Sequence, residues 1–210
     1  MRTLSHKLIS LKNSPMAGKV RSRMAGFKAK GRSGKDEIFK ELCFCLLTAN
    51  YSAEGGIRVQ DAIGDGFLHM GERSLAGALR GLGYRFPNAR ARYIIEARKK
   101  KSELEAVLAS EQDAMKKRDW LVEDLLGLGY KEASHFLRNI GYDGFAIIDF
   151  HIIDLLAREK MIERPKSRSL TKNRYLKIER LLADLASGSG ISPGELDLYL
   201  WYMETGKVLK

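Results

Sequence analysis

The chain has 210 residues, of which 37 are lysine or arginine and 26 are aspartate or glutamate, so its formal net charge is +11. Hydrophobic residues make up 44% and charged residues 30%, a balance typical of an ordered protein with a substantial core, built as one domain or two small lobes. The positive charge favours a polyanionic partner, most often a nucleic acid; a merely basic protein without such a partner is the alternative.

Membrane proteins and iron–sulfur proteins are excluded by the apolar runs and the cysteine count. No run approaches the roughly 18 apolar residues of a membrane span. Polar residues punctuate the N-terminus, so we expect no signal peptide and a cytoplasmic protein. Cys43 and Cys45 face different sides of an apolar helix, which predicts reduced core residues and no disulfide. Two cysteines are also too few for a four-cysteine cluster.

The predicted elements are helices almost throughout, since strand-like alternation is nearly absent. We expect the apolar helix at 35–48 to be central to the core and Ser52 to cap the helix that follows. Ser192, Pro193 and Glu195 predict a capping box at the start of the last helix. Other helices are predicted at 3–13, 16–30, 53–63, 74–82, 88–100, 102–109, 111–117, 130–140, 150–159 and 171–187. The fold class is therefore all-α.

Residues 119–155 contain the sequence features that most strongly indicate a function. A helix pattern runs into the hairpin Leu126-Gly127-Leu128-Gly129, and a second helix pattern starts at once. Two glycines spaced by one residue allow a tight reversal, because glycine can take positive φ. They also leave backbone amides uncovered near a helix N-terminus, and such amides form a good binding site for a phosphate.

Lys131 is the sharpest catalytic candidate in this stretch. The field at a helix N-terminus and burial in a pocket both favour the neutral amine, which is a nucleophile able to form a Schiff base with a sugar carbon. The alternative, a phosphate-binding or solvated lysine, is the one that spacing alone favours. His135 lies one turn further on and could tune the lysine, but a surface or hydrogen-bonded histidine is the commoner case.

Asp149 is an acidic residue among apolar neighbours, so its carboxylate must be satisfied. It fits the N-cap of the helix starting at residue 150. It also fits an acid–base group or a stabiliser of a developing sugar cation, and one carboxylate can do both. His151 and Asp154 are weaker candidates, and the local residues lack enough ligands at the spacing of a metal site, so no metal is expected.

Aromatic and polar residues at helix ends form a third set of candidates. Asn50 sits at a helix exit, where an amide can meet bases. Arg85 and Phe86 lie in a tight loop before a basic helix, and side chains at the tip of such a loop are suited to insertion into a duplex. Ordinary packing of the loop explains these two residues equally well. Trp201 on the last helix is either a core residue or a stacking face for a base.

The segment LLGLGYKEASHFLRNIGYDGFAIIDFHI resembles the helix–hairpin–helix motif and following Asp loop of the DNA glycosylase superfamily named for that motif. The match is specific, because simple helix–hairpin–helix DNA binders need neither the lysine nor the aspartate. KELCFCLLTANYSAEGGIRVQ, LGYRF and ELDLYLWYMETGKVLK extend the resemblance over essentially the whole chain, to archaeal and thermophile-type 8-oxoguanine DNA glycosylase/lyases. The cysteine cluster of endonuclease-III-like relatives and the extra N-terminal domain of eukaryotic-type enzymes are not expected here.

This resemblance implies roles for individual residues. Lys131 attacks the sugar of the damaged nucleotide and forms the Schiff base that permits β-elimination. Asp149 helps to activate the lysine and stabilises the sugar cation. The hairpin Gly127-Leu128-Gly129 binds a DNA phosphate, with a monovalent cation on its carbonyls as an open alternative; no cofactor is otherwise required. The remaining implied positions are Asn50 in the gap left by the flipped nucleotide, Arg85 and Phe86 as wedge or opposite-base contacts, and Trp201 and the C-terminal Lys210 at the base pocket.

The resemblance also implies the architecture and the partner. We expect a single helix–hairpin–helix glycosylase unit over residues 1–210, with two helical lobes and a cleft between them: lobe A at about 1–50 plus 145–210, and lobe B at about 51–144. The expected activity is excision of 8-oxoguanine from double-stranded DNA by a monomer. Two alternatives stay open, a glycosylase for another oxidised base and a non-catalytic DNA-binding module.

Overall fold

The fold is all helical. The computed structural model describes residues 2–49, 51–167 and 170–210, and these contain thirteen helices and no strand. The helices are α1 Arg2–Lys12, α2 Met16–Gly31, α3 Lys35–Leu47, α4 Ala53–Ile63, α5 Gly66–His69, α6 Glu72–Gly81, α7 Pro87–Lys99, α8 Lys101–Ala109, α9 Ala114–Asp124, α10 Tyr130–Asn139, α11 Phe150–Arg158, α12 Lys172–Gly188 and α13 Pro193–Thr205. The predicted fold class is confirmed.

The chain divides into two compact units. Unit 1 comprises Met1–Ala29 and Leu137–Lys210, and unit 2 comprises Lys30–Phe136. These divisions differ from the expected lobe boundaries near residues 50 and 144, since α3 belongs to unit 2, where it packs on α4, α5 and α7.

Unit 2 is built around α3, whose apolar residues are almost all buried. Phe39, Phe44 and Leu46 are each 0% exposed. Cys43 and Cys45 are buried and free, as predicted, and burial raises the pKa of the Cys43 thiol. From the loop before α7, the Tyr84 hydroxyl donates to the carbonyl of Leu47 at 2.6 Å, which satisfies one of the last carbonyls of the helix.

Unit 1 has its core between α11, α12 and α13, with apolar residues of α1 added to it. Leu4 and Leu8 of α1 are buried, although the helix as a whole is basic. The Lys12 ammonium donates to the carbonyls of Ser189 and Gly190, at 3.0 and 2.9 Å. A lysine at the carboxyl end of a helix suits the local negative potential, so this contact ties the N-terminal helix to the end of α12.

Capping residues account for the helix ends that the sequence predicted correctly, and for one that it did not. The Ser52 cap and the capping box of Ser192 and Glu195 are both present. The predicted helix at 111–117 starts three residues too early, because the Asp113 side chain accepts from Lys116 N and starts α9 at Ala114. Helix α5 lies in a segment for which the sequence predicts no helix. Among the described residues, no helix is long and apolar enough to cross a membrane.

Candidate DNA-binding and catalytic site

The hairpin between α9 and α10 depends on one glycine. Gly127 has φ +90°, in the left-handed region, and a Cβ added there would lie 2.3 Å from Cδ2 of Tyr93. Gly129 does not need positive φ; it lies just before the first residue of α10. Leu128 is buried and Leu126 is 48% exposed. The tight reversal predicted from two glycines is therefore produced at Gly127.

The two helices of the hairpin are braced against each other by buried polar contacts. The Arg118 side chain of α9 is fully buried; its Nη1 donates to Ser134 Oγ at 3.0 Å, and its guanidinium lies 5.1 Å from the Tyr130 ring centroid. The Tyr130 hydroxyl in turn donates to Asp119. Charge-assisted bonds in a dry site are strong, so they fix α10 on α9. Sequence reasoning missed this brace, because nothing in the local pattern distinguishes Arg118 from its basic neighbours.

Lys131 lies in the first turn of α10, immediately after the hairpin, and its side chain is 26% exposed. Its Nζ is 3.2 Å from Oε1 of Glu132. The other carboxylate oxygen, Oε2, accepts from Gly129 N at 3.3 Å. One carboxylate thus contacts both the candidate nucleophile and a hairpin amide.

His135 is a core residue. It is 6% exposed, and its ring meets Phe44 edge-on, with centroids 5.6 Å apart and planes at 76°. The structure therefore places the histidine in the packing of unit 2, and not on the surface.

Asp149 occupies the N-cap position that its sequence context predicted. Its Oδ1 accepts from Ile152 N at 3.0 Å, and its own N donates to Ile147 O at 3.1 Å. The side chain is partly exposed. The carboxylate is therefore fixed in direction by α11 while remaining at the surface of unit 1.

A buried ion pair holds the loop that leads to Asp149. Asp197 of α13 accepts from Ile147 N at 2.9 Å and pairs with Arg138, and both side chains are almost fully buried. Burial raises the pKa of Asp197 to about 6, although Arg138 and the Ile147 amide lower it; the nearby charge of Asp149 raises it further. Sequence reasoning missed both residues, which lie 59 positions apart.

Aromatic rings connect the start of α11 with α13. Phe150 is 50% exposed and lies on His151, with ring centroids 4.0 Å apart. His151 meets Trp201 edge-on at 4.9 Å and 89°. Trp201 Nε1 is buried with no hydrogen-bond partner among the described residues. Lys210, partly buried, follows the left-handed Gly206 that ends α13.

The loop before α7 presents two of the predicted contact residues. Arg85 and Phe86 are both exposed, and the guanidinium lies 4.9 Å from the centroid of the Phe86 ring. Tyr84 is buried instead. Asn50 lies outside the described residues. In those residues, no three His, Cys, Asp or Glu side chains come together as a metal site would need.

Unit 2 thus contains the hairpin, Lys131 and the loop of Arg85 and Phe86, and unit 1 contains Asp149, Trp201 and Lys210. A braced glycine hairpin with a lysine at its exit, followed in sequence by a capped Asp loop, defines a helix–hairpin–helix protein. The family model described as 8-oxoguanine DNA glycosylase matches residues 20–191. The chain belongs to the 8-oxoguanine DNA glycosylase family.

Relatives from archaea match the chain over nearly its whole length. An 8-oxoguanine DNA glycosylase/AP lyase of Korarchaeum cryptofilum is 49% identical, covering 99% of this chain and 98% of the relative. The crystal structure of Methanocaldococcus jannaschii 8-oxoguanine DNA glycosylase has a TM-score of 0.94 at 47% identity, covering 100% of this chain and 97% of that one. The Methanocaldococcus jannaschii enzyme in complex with 15mer DNA containing 8-oxoguanine has a TM-score of 0.95 at 45% identity, covering 99% and 100%.

Replacing Gly127 with alanine should lower the free energy of unfolding by about 1–3 kcal/mol, because an L residue is strained at this φ and its Cβ would overlap the Tyr93 ring. Gly77 is the control: it lies inside α6 with nothing near its Cβ position, so Gly77→Ala should stabilise by about 0.5–1 kcal/mol. Urea unfolding measures both. Equal effects of the two substitutions would contradict the account of the hairpin.

Proposed function

We propose that the protein excises 8-oxoguanine from duplex DNA and then nicks the strand at the resulting site, as a bifunctional DNA glycosylase/AP lyase. The observation that carries this proposal is Lys131 at the exit of the braced hairpin. Relatives that match nearly the full length carry this activity in their names, and a structural neighbour is bound to DNA containing 8-oxoguanine.

Duplex binding comes first and is largely independent of sequence. The net charge of +11 favours contacts with phosphates, which weaken steeply as salt rises. The hairpin Gly127-Leu128-Gly129 holds one phosphate by its backbone amides, next to the N-terminus of α10. This contact places the damaged strand against unit 2.

The damaged nucleotide must then leave the stack, because its glycosidic bond cannot be reached inside a duplex. Unstacking costs a few kcal/mol, which an inserted apolar side chain and phosphate contacts offset. The exposed ring of Phe86, with Arg85 against it, suits the wedge. Asn50 is the candidate for the vacated position, and Trp201 and Lys210 are the candidates for the pocket of the extruded base.

The reaction has two stages. The neutral amine of Lys131 attacks the anomeric carbon, and the base leaves with the electron pair of the glycosidic bond and takes up a proton. The sugar ring opens as the nitrogen forms a Schiff base. Loss of a proton from C2′ then breaks the C3′–O bond and expels the 3′ phosphate by β-elimination, and water hydrolyses the remaining C=N bond to release the enzyme.

Asp149 supplies the negative charge that a developing sugar cation requires. Its N-cap bond fixes the carboxylate in advance, and the Asp197–Arg138 pair holds the preceding loop. Preorganised charge is effective because no reorganisation is needed at the moment of reaction.

The lysine and the carboxylate supply the chemistry of the proposed reaction, so it needs no cofactor. A monovalent cation on the hairpin carbonyls would serve phosphate binding and not the bond-breaking steps. We expect the protein to act as a monomer. The same residues would serve another oxidised base, and a panel of lesion duplexes separates these substrates.

Lys131→Gln should abolish the adduct that borohydride traps on 8-oxoguanine duplex, a loss of about a thousandfold or more, because glutamine cannot form a Schiff base. The control is Lys116→Gln, which removes an exposed lysine of α9 on the other side of the hairpin. It should trap at the rate of the unsubstituted protein. A normal yield of adduct from Lys131→Gln would rule out the catalytic assignment, and no adduct from the unsubstituted protein on any lesion would favour the non-catalytic module.

Asp149→Asn should slow base release by about 10²–10³-fold while leaving affinity for the duplex within about twofold. Asparagine is an equally good N-cap, so the start of α11 is preserved and only the charge is lost. Single-turnover release of 8-oxoguanine and an equilibrium binding titration measure the two quantities. Release at the normal rate would show that the carboxylate serves the helix alone.

A further inference from the structure

Glu132 lies at the junction of the two functional parts of the hairpin. Its Oε2 accepts from Gly129 N, and its Oε1 is 3.2 Å from Lys131 Nζ. Its side chain is 13% exposed, so water screens the contacts only in part. A glutamate at the third position of a helix often bonds back to the N-cap amide, and this accounts for the first contact. Capping gives no reason for the second contact.

The contact between Glu132 and Gly129 occupies a backbone amide that phosphate binding needs. An amide at the N-terminus of α10 is part of the seat proposed for a DNA phosphate. Gly129 has one N–H, and in this structure a carboxylate takes it. Two anions repel each other at such a short range, so a phosphate that takes this amide must displace Glu132.

The second contact affects the nucleophile. Attack on the sugar requires that the lysine nitrogen reach the anomeric carbon. While Glu132 contacts Lys131, Nζ is engaged with a carboxylate oxygen, so the lysine is held in place and kept from the sugar.

We propose that Glu132 is a positioning residue that clamps Lys131 in the DNA-free enzyme, and that a DNA phosphate arriving at the hairpin releases the clamp. The inference rests on the proposed function. It couples the amine's readiness to react to occupation of the phosphate seat, so that the lysine becomes a nucleophile where DNA is bound.

The other charged and titratable groups around this part of unit 2 have defined positions. On α9, Arg118 and Asp119 are engaged with Ser134 and Tyr130. On α10, His135 packs on Phe44. On α7, the guanidinium groups of Arg90 and Arg92 lie against the ring of Tyr93, beside Gly127. A substitution of Glu132 leaves all of these groups in place.

Glu132→Gln tests the clamp, because its amide oxygen can still accept from Gly129 N while the negative charge beside Lys131 is lost. Glu111→Gln is the control, since it removes one negative charge from an exposed position of the same unit. Single-turnover release of 8-oxoguanine is measured for both variants. We expect release by Glu132→Gln to be about two- to fivefold faster than release by Glu111→Gln, because the ion pair no longer holds Nζ. Undamaged duplex should bind to Glu132→Gln about two- to fivefold more tightly than to Glu111→Gln.

A purely capping role would leave both the rate of release and the affinity equal to those of the control, and this result would overturn the proposal. Slower release would also overturn it, since the carboxylate would then be assisting the reaction. Glu132→Ala, which loses the cap as well, should show the same increases in rate and affinity with lower stability. If the unsubstituted protein releases no 8-oxoguanine, the proposed function fails; if it does so and the variants match the control, only the clamp fails.

Discussion

The direction of α10 depends on the reversal at Gly127, and most of the proposed site follows from that direction. The left-handed backbone is possible because this residue has no Cβ, and the same absence lets the Tyr93 ring approach. The buried Arg118 then fixes the second helix against the first. A hairpin set in this way presents a helix N-terminus with Lys131 in its first turn.

Each of the two proposed catalytic side chains is held by a neighbouring carboxylate. Glu132 contacts Lys131 directly, whereas Asp197 acts on Asp149 through the backbone of Ile147. The two contacts differ in burial. The Asp197–Arg138 pair is dry and suits permanent positioning, because a buried charge that loses its partner is costly. The Glu132–Lys131 pair is partly exposed and is easier to break, as a clamp requires.

The features that the sequence predicted correctly are local ones. The caps at Ser52, Asp149 and Ser192 each depend on a side chain and an amide three residues later, so a short pattern is enough. The buried cysteines and the core helix α3 follow from apolar runs in the same way.

The features that the sequence did not predict are long-range or competitive. Arg138 and Asp197 meet across 59 positions, and neither stands out among the charged residues near it. The sequence predicts a helix from residue 111, but the cap at Asp113 starts α9 at Ala114, although helix-forming residues lie on both sides of it. Glu132 could be recognised as a cap from its spacing to Gly129, but its contact with Lys131 depends on side-chain geometry that no pattern encodes.

The central claim is that one lysine forms the covalent bond to DNA. The most direct measurement is mass spectrometry of peptides from the borohydride-reduced adduct formed on 8-oxoguanine duplex. The account predicts the sugar remnant on Lys131, in a peptide that also contains the hairpin. A remnant on any other lysine, or on the N-terminal amine, would contradict it.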